Sequence, residues 1–236
     1  NFENTYLQYG KTKINILTKN SKSGKLRKRK KIESFMKENL VTKIDSSIPF
    51  LYFPLHVEPE RELLMQSPFM SDQISVIRNI SKVLPVNYQL FVKEHPGMKD
   101  NGWRSIEYYQ EIQKLPNVSL IHPSVNSEEL IQKCSLVITI AGDTGLEASF
   151  FNKPSIVLAD TDFSVLPSVF YVENFNDLEK TIKNALNSKV DLEHLKKYVA
   201  YVNENSFEFD YVTIRADFNN IIYYPGFLGD IDISED

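Results

Sequence analysis

"LVITIAGDTGLEASFFNKPSIVL", residues 136–158, holds two apolar runs of strand length around a segment of helical spacing. Leu136–Ile140 is a continuous apolar or β-branched run, and 154–158 is a second one opened by Pro154. Continuous rather than alternating apolar character is what a strand covered on both faces needs. The nine residues from Asp143 to Phe151 read as a short helix joining them. A strand, a helix and a strand in this order make a crossover unit, which places the two strands parallel in one sheet.

Outward from this unit the same rhythm continues. Strands are predicted at 48–54, 88–94, 118–121 and 169–172. Between them, apolar stripes predict helices at 71–84, 105–115 and 126–134, and two more close the pattern at 176–186 and 192–202. Asn126 and Ser127 read as the cap of the third. The expected fold is α/β, a Rossmann-like parallel sheet with helices on both faces, over residues 46–190. Residues 1–45 are polar, basic and weakly patterned and read as a tail or the remnant of a missing domain; residues 191–236 read as a helical tail.

Of 236 residues, 42% are hydrophobic and 25% charged, the balance of a soluble globular chain that can bury a large core. A net charge of −4 argues against a general nucleic-acid binder. The single cysteine excludes an internal disulfide framework and suits a reducing, cytoplasmic compartment. With four scattered histidines beside it, a structural zinc site is not expected. No run of eighteen apolar residues and no signal segment stand out. The basic stretch "KSGKLRKRKK", 22–31, reads as a solvated helix or linker, or as a peripheral contact with anionic headgroups of the inner membrane or with an acidic acceptor. The chain opens on Asn1, so a longer polypeptide is expected.

Three predicted strand ends carry polar chemistry, at the sheet edge where parallel α/β folds bind ligands. "PLHVEPERE", 54–62, follows the first strand. In extended geometry His56, Glu58 and Glu60 fall on one side, a set suited to proton transfer or to holding sugar hydroxyls; an exposed loop pairing a carboxylate with Arg61 is the alternative. "LFVKEHPGM", 90–98, ends the second strand with Lys93 as a point charge and His95 as a hydrogen-bond donor for a phosphate. A histidine satisfied by a backbone carbonyl is the bland alternative. Alternation sends Glu94 to the opposite face, where Gln should be tolerated. "TIAGDTGLEA", 139–148, flanks a strand-to-helix turn with Gly142 and Gly145. Unpaired helix-opening N–H groups there suit an anion, and Glu147 can accept from ribose hydroxyls; a plain tight turn is the alternative.

Taken together, "YFPLHVEPE", "LFVKEHPGM", "NSEELI" and "ITIAGDTGLEASFFNKPSIVL" resemble, in order and spacing, bacterial capsule polysaccharide biosynthesis proteins over residues 50–172. That family resembles two-domain GT-B glycosyltransferases, and its better understood members are similar to Kdo transferases that use CMP-sugars. The resemblance implies a donor phosphate at Lys93 and His95. It implies phosphate and ribose at the turn of Gly142, Asp143, Thr144, Gly145 and Glu147, and the reacting sugar at His56, Glu58 and Glu60. Asp143 departs from the Ser or Thr expected at its position. The chain holds one convincing Rossmann-like domain, matching the donor-binding C-terminal half.

The expected function is transfer of a sugar from a nucleotide-sugar donor, a CMP-sugar first, to a glycan or lipid-linked acceptor in surface polysaccharide synthesis. No metal and no cofactor beyond that substrate is expected, and polysaccharide assembly proteins are the expected partners. A sugar-nucleotide epimerase or hydrolase is the enzymatic rival; a non-catalytic binding module in an assembly complex is the other.

Overall fold

The computed structural model describes residues 11–45, 47–58, 63, 67–101 and 103–207. In chain order the main elements are α1 (Lys11–Asn39), β1 (Phe50–Pro54), α2 (Gln73–Lys82), β2 (Gln89–Lys93), α3 (Met98–Asn101) and α4 (Ile106–Gln113). They continue with β3 (Val118–Ile121), α5 (Ser127–Lys133), β4 (Leu136–Thr139), α6 (Thr144–Phe150) and β5 (Ser155–Val157). β6 (Val169–Tyr171), α7 (Leu178–Leu186) and α8 (Leu192–Glu204) complete the set. All six strands lie parallel in one sheet, in the order β3-β2-β1-β4-β5-β6. The expected α/β fold and every expected strand and helix are present. Asn126 caps α5 by accepting from Glu128 N–H, and Asp72 caps α2 by accepting from Ser75 N–H.

Both sheet faces are buried, which is why the strands lack polar alternation. Leu51, Phe53, Leu90, Val92 and Ile138 enter one core beneath α1, α2 and α4. Phe50, Tyr52, Phe91 and Val137 enter the opposite core with Leu130 of α5 and Ala148 of α6. There Phe50 and Phe91 stack with centroids 4.2 Å apart across the β1–β2 pair. Cys134 is buried in this second core, and burial pushes its thiol up to about 12. Native protein at pH 8 is therefore expected to resist a thiol reagent such as DTNB, with one equivalent reacting only after unfolding in urea. Prompt reaction of the native chain would place Cys134 elsewhere.

Contacts divide the chain into two compact units, one of Lys25–Val199 and one of Asn1–Gly24 with Ala200–Asp236. The first begins earlier than the boundary at 46 that the sequence suggests. Ile32, Met36 and Leu40 recur every four residues along one stripe of α1 and its end, and all three are buried. Phe35 stacks on Tyr109 at 6.4 Å, and Val41 forms an isolated parallel bridge with Ile121. The apolar stripe is one residue wide and surrounded by Lys, Arg and Glu, so its periodicity is faint in the sequence. Residues 27, 28, 30 and 31 of the basic stretch are exposed. Among the described residues no helix is long and apolar enough to cross a membrane.

Candidate functional site

Strands β1 to β3 run outward in one direction and β4 to β6 in the other, so the topological switch lies between β1 and β4. A cavity of about 320 Å³ opens there, at the carboxyl ends of β1, β2 and β4. Pro54, Leu55 and His56 line it from β1, and His95 lines it from β2. Thr139, Ala141 and Gly142 follow β4 into it, and Asp143, Thr144 and Glu147 line it from the start of α6.

His56 is only 7% exposed. The Gln73 side chain clamps its backbone, with Gln73 Oε1 accepting from His56 N–H at 2.8 Å and Gln73 Nε2 donating to His56 O at 3.2 Å. The imidazole Nε2 accepts from Ala141 N–H at 3.4 Å and sits 3.2 Å from Thr139 Oγ1. Thr139 Oγ1 also accepts from Gly142 N–H at 3.1 Å. A Cβ on residue 142 would lie 2.9 Å from Thr139 Oγ1 and 3.3 Å from His56 Cε1, so this close approach requires glycine. His56 thus knits the end of β1 to the turn after β4, with Nε2 acting as an acceptor from backbone.

His95 is exposed at the rim. Its Nδ1 accepts from Gly97 N–H at 3.0 Å, which leaves the proton of the neutral ring on Nε2. Partial desolvation at the cavity rim is the main cause holding the imidazole below its ordinary value, against an opposing pull from Glu94. Glu147 is shifted the other way: burial first, and Asp143 second, raise its carboxyl above the usual range.

Six of the ten residues singled out in the sequence meet at this cavity: His56, His95, Gly142, Asp143, Thr144 and Glu147. Lys93 does not. It is 4% exposed, and its Nζ donates to Ser127 Oγ at 2.6 Å. Alternation along β2 sends Lys93 to the Phe91 face, under the start of α5. Gly145 is buried in packing: its Cβ position lies 3.1 Å from Phe163 and 3.3 Å from Val157. Glu58 follows the end of β1 at Pro54 and does not line the cavity. Its carboxylate is bonded by Gln73 Nε2 and lies 3.4 Å from Arg104 Nη2. Glu60 lies outside the described residues.

Beneath the rim, Glu94 is 0% exposed and carries a network that sequence reasoning missed. Arg104 Nη1 donates to both carboxylate oxygens at 2.5 and 2.6 Å, and Tyr109 Oη donates at 2.8 Å. His95 N–H donates to Glu94 Oε1 at 2.6 Å, and Arg104 Nη2 donates to His56 O. Glu94 does point away from the Lys93 face, as alternation requires, but its expected tolerance of Gln does not follow. The carboxylate is the buried anchor of a guanidinium that holds both histidine-bearing loops. An acid closing an apolar strand ten residues before an Arg was the one available signal.

The sequence model for capsule polysaccharide biosynthesis proteins matches residues 3–166 of this chain. The chain is also similar to protein FixF of Sinorhizobium fredii, 26% identical over 127 residues, which cover 52% of this chain and 30% of that protein. Among solved structures it is similar to KpsC of Thermosulfurimonas dismutans, a beta-Kdo 2,7 transferase, at 16% identity and a TM-score of 0.45, covering 72% of this chain and 51% of the other. UDP-GlcNAc 2-epimerase of Methanocaldococcus jannaschii gives 17% identity and a TM-score of 0.41 over 76% and 52%. The chain thus spans about a third of the curated relative and about half of each solved chain. With well over half its length matched, this chain belongs to the capsule polysaccharide biosynthesis protein family.

Proposed function

We propose that this chain is the nucleotide-sugar-binding part of a glycosyltransferase in surface polysaccharide synthesis, with the donor seated in the cavity at the β1–β4 switch. The observation that carries this reading is the tautomer of His95. Its Nδ1 is occupied by Gly97 N–H, so Nε2–H is the donor it offers at the rim of a ligand-sized cavity. A neutral donor of this kind stabilises a leaving phosphate as charge develops on it, without a bound metal.

Charge orders the donor within the cavity. Asp143 and Glu147 repel a phosphate, and Lys93 is turned away to Ser127, so the phosphate belongs at the His95 end. The two carboxylates suit ribose hydroxyls. A CMP-sugar is our first choice of donor, on the resemblance to CMP-sugar-using transferases, and a glycan or lipid-linked glycan is the acceptor. Calorimetric titration of the full chain with CMP, UDP, GDP and inorganic phosphate tests the reading. Saturable binding of at least one nucleotide is expected; binding of none by folded protein contradicts it.

Glu147→Gln is expected to weaken the nucleotide by about 1.5–3 kcal/mol, the scale of a hydrogen bond to a charged group, while inorganic phosphate binds as before. Equal loss for phosphate and nucleotide would move Glu147 off the ribose.

A further inference from the structure

Seven of the ten residues at 22–31 are Lys or Arg and none is an acid, in a chain whose net charge is −4. The fold turns this stretch into the outer side of a helix. Ile32 and Met36 pin α1 to the core, and at about 3.6 residues per turn Arg27, Lys30 and Lys31 fall on the opposite side. All three are exposed.

The acids nearby leave this face cationic. Arg29 turns inward, half-buried, and is matched by Glu33 at 3.0 Å. Glu107, at the start of α4, lies within reach of Lys31 and Lys28. Glu38, the next acid on the outer side of α1, stands seven residues past Lys31 and is bonded by Ser34 Oγ at 2.8 Å. Among the described residues, Arg27 and Lys30 have no ion-pair partner. Leu26, one turn before Lys30 on the same side, is 58% exposed.

The position of the patch is fixed as well. Glu33 accepts from Trp103 Nε1 at 3.2 Å, and both Trp103 and Glu107 belong to the stretch that follows the carboxyl end of β2. The basic turns of α1 therefore sit beside the carboxyl edge of the sheet, the edge on which the donor cavity opens.

A helix held to its domain by one stripe, with cations and an exposed leucine on the other side, suits a flat anionic surface. Lysine stems can lie along the surface while their ammonium groups reach phosphates, and Leu26 can enter the headgroup layer. The nearby aromatics are not free to stack on a nucleic-acid base: Phe35 packs on Tyr109 and Trp103 is tied to Glu33.

We propose that this face of α1 seats the protein on a bilayer that contains anionic phospholipid. The seat does not depend on what the donor cavity holds; it brings the carboxyl edge of the sheet close to the lipid surface.

The full chain is sedimented with vesicles of phosphatidylglycerol mixed into phosphatidylcholine and with vesicles of phosphatidylcholine alone. Binding to the anionic vesicles is expected to be about tenfold tighter or more, and to be lost as salt rises from about 0.05 to about 0.5 M. The Arg27→Gln, Lys30→Gln, Lys31→Gln triple variant is expected to bind them about tenfold more weakly or worse, since each cation near such a surface strengthens binding roughly fivefold. Gln keeps the helix, which circular dichroism checks. A control that removes the same charge elsewhere, Lys133→Gln, Lys183→Gln, Lys196→Gln, is expected to bind as the parent does; those three lysines are exposed and paired with Glu on their own helices. Equal binding to both vesicle types, parental binding by the folded triple variant, or an equal loss in the control overturns the proposal. So does preference for transfer RNA or heparin over the anionic vesicles in competition, which would give the patch to another polyanion.

Discussion

Arg104→Ala is expected to lower the stability of the fold by about 3–5 kcal/mol, the cost of breaking a buried ion pair from one side. Glu94 has no exposed surface, and Arg104 is 6% exposed. Removing the guanidinium takes away the 2.5 and 2.6 Å bonds to the carboxylate and the bond to His56 O, leaving Tyr109 Oη and His95 N–H as its partners. Desolvation of a carboxylate without its counter-charge dominates, since an interior hydrogen bond alone is worth only about 1 kcal/mol. Urea unfolding at pH 7 should show a lower midpoint with an unchanged slope. Replacing both partners, Glu94→Leu with Arg104→Met, should recover part of the loss, because no buried charge is then stranded although Tyr109 Oη and His95 N–H lose their acceptor. A single-variant loss below about 1 kcal/mol, measured against that cost, would mean the pair is solvated and the two loops are held by something else.

His95→Ala is expected to weaken nucleotide binding by about 1.5–3 kcal/mol, roughly 10- to 150-fold, with little change in stability. The ring is exposed and its Nδ1 bond to Gly97 closes only a local turn, so the fold loses little. Any turnover should fall further than binding, because the leaving phosphate gains charge as the glycosidic bond breaks. His95→Gln, whose amide N–H can donate in place of Nε2–H, should recover part of the affinity. The ring's acidity gives a second check. Its folded value is held below the ordinary one, so its contribution to stability is intact above about pH 6.5 and is lost as pH falls through the folded value. Protonation would put a hydrogen on Nδ1 against Gly97 N–H, and that is the bond lost with acid. An affinity that is unaltered in His95→Ala would remove the phosphate from this strand end.

The sheet was legible because its signal is redundant: the strands are continuous apolar runs, and α2, α4 and α5 between them carry apolar residues behind a side-chain cap. A resemblance carried by four short stretches added the family. The rim of the site was legible where backbone alone places a residue, as with Gly142, Thr144 and Glu147 after β4 and His95 after β2. It failed where a side chain had to choose a direction. Lys93 looked like a phosphate ligand because it precedes His95, but strand alternation buries it against Ser127. Glu58 looked like a partner of His56, yet Gln73 and Arg104 take its carboxylate. Gly145 looked like a ligand-facing glycine and is instead the space into which Phe163 packs. The core-facing stripe of α1 was hidden because three buried residues in a long basic helix make a faint period. The role of Arg104 was hidden because its partners, Glu94 and the His56 carbonyl, are brought to it only by the fold.

The most direct test of the donor site is a crystal structure of the full chain with CMP, or with whichever nucleotide calorimetry selects. The account predicts the nucleotide in the cavity between β1 and β4, with a phosphate oxygen within about 3 Å of His95 Nε2, the reach of an N–H···O bond, and the ribose hydroxyls at Glu147. A nucleotide bound elsewhere on the chain, or bound here with its phosphate at Glu147 and its ribose at His95, would contradict it.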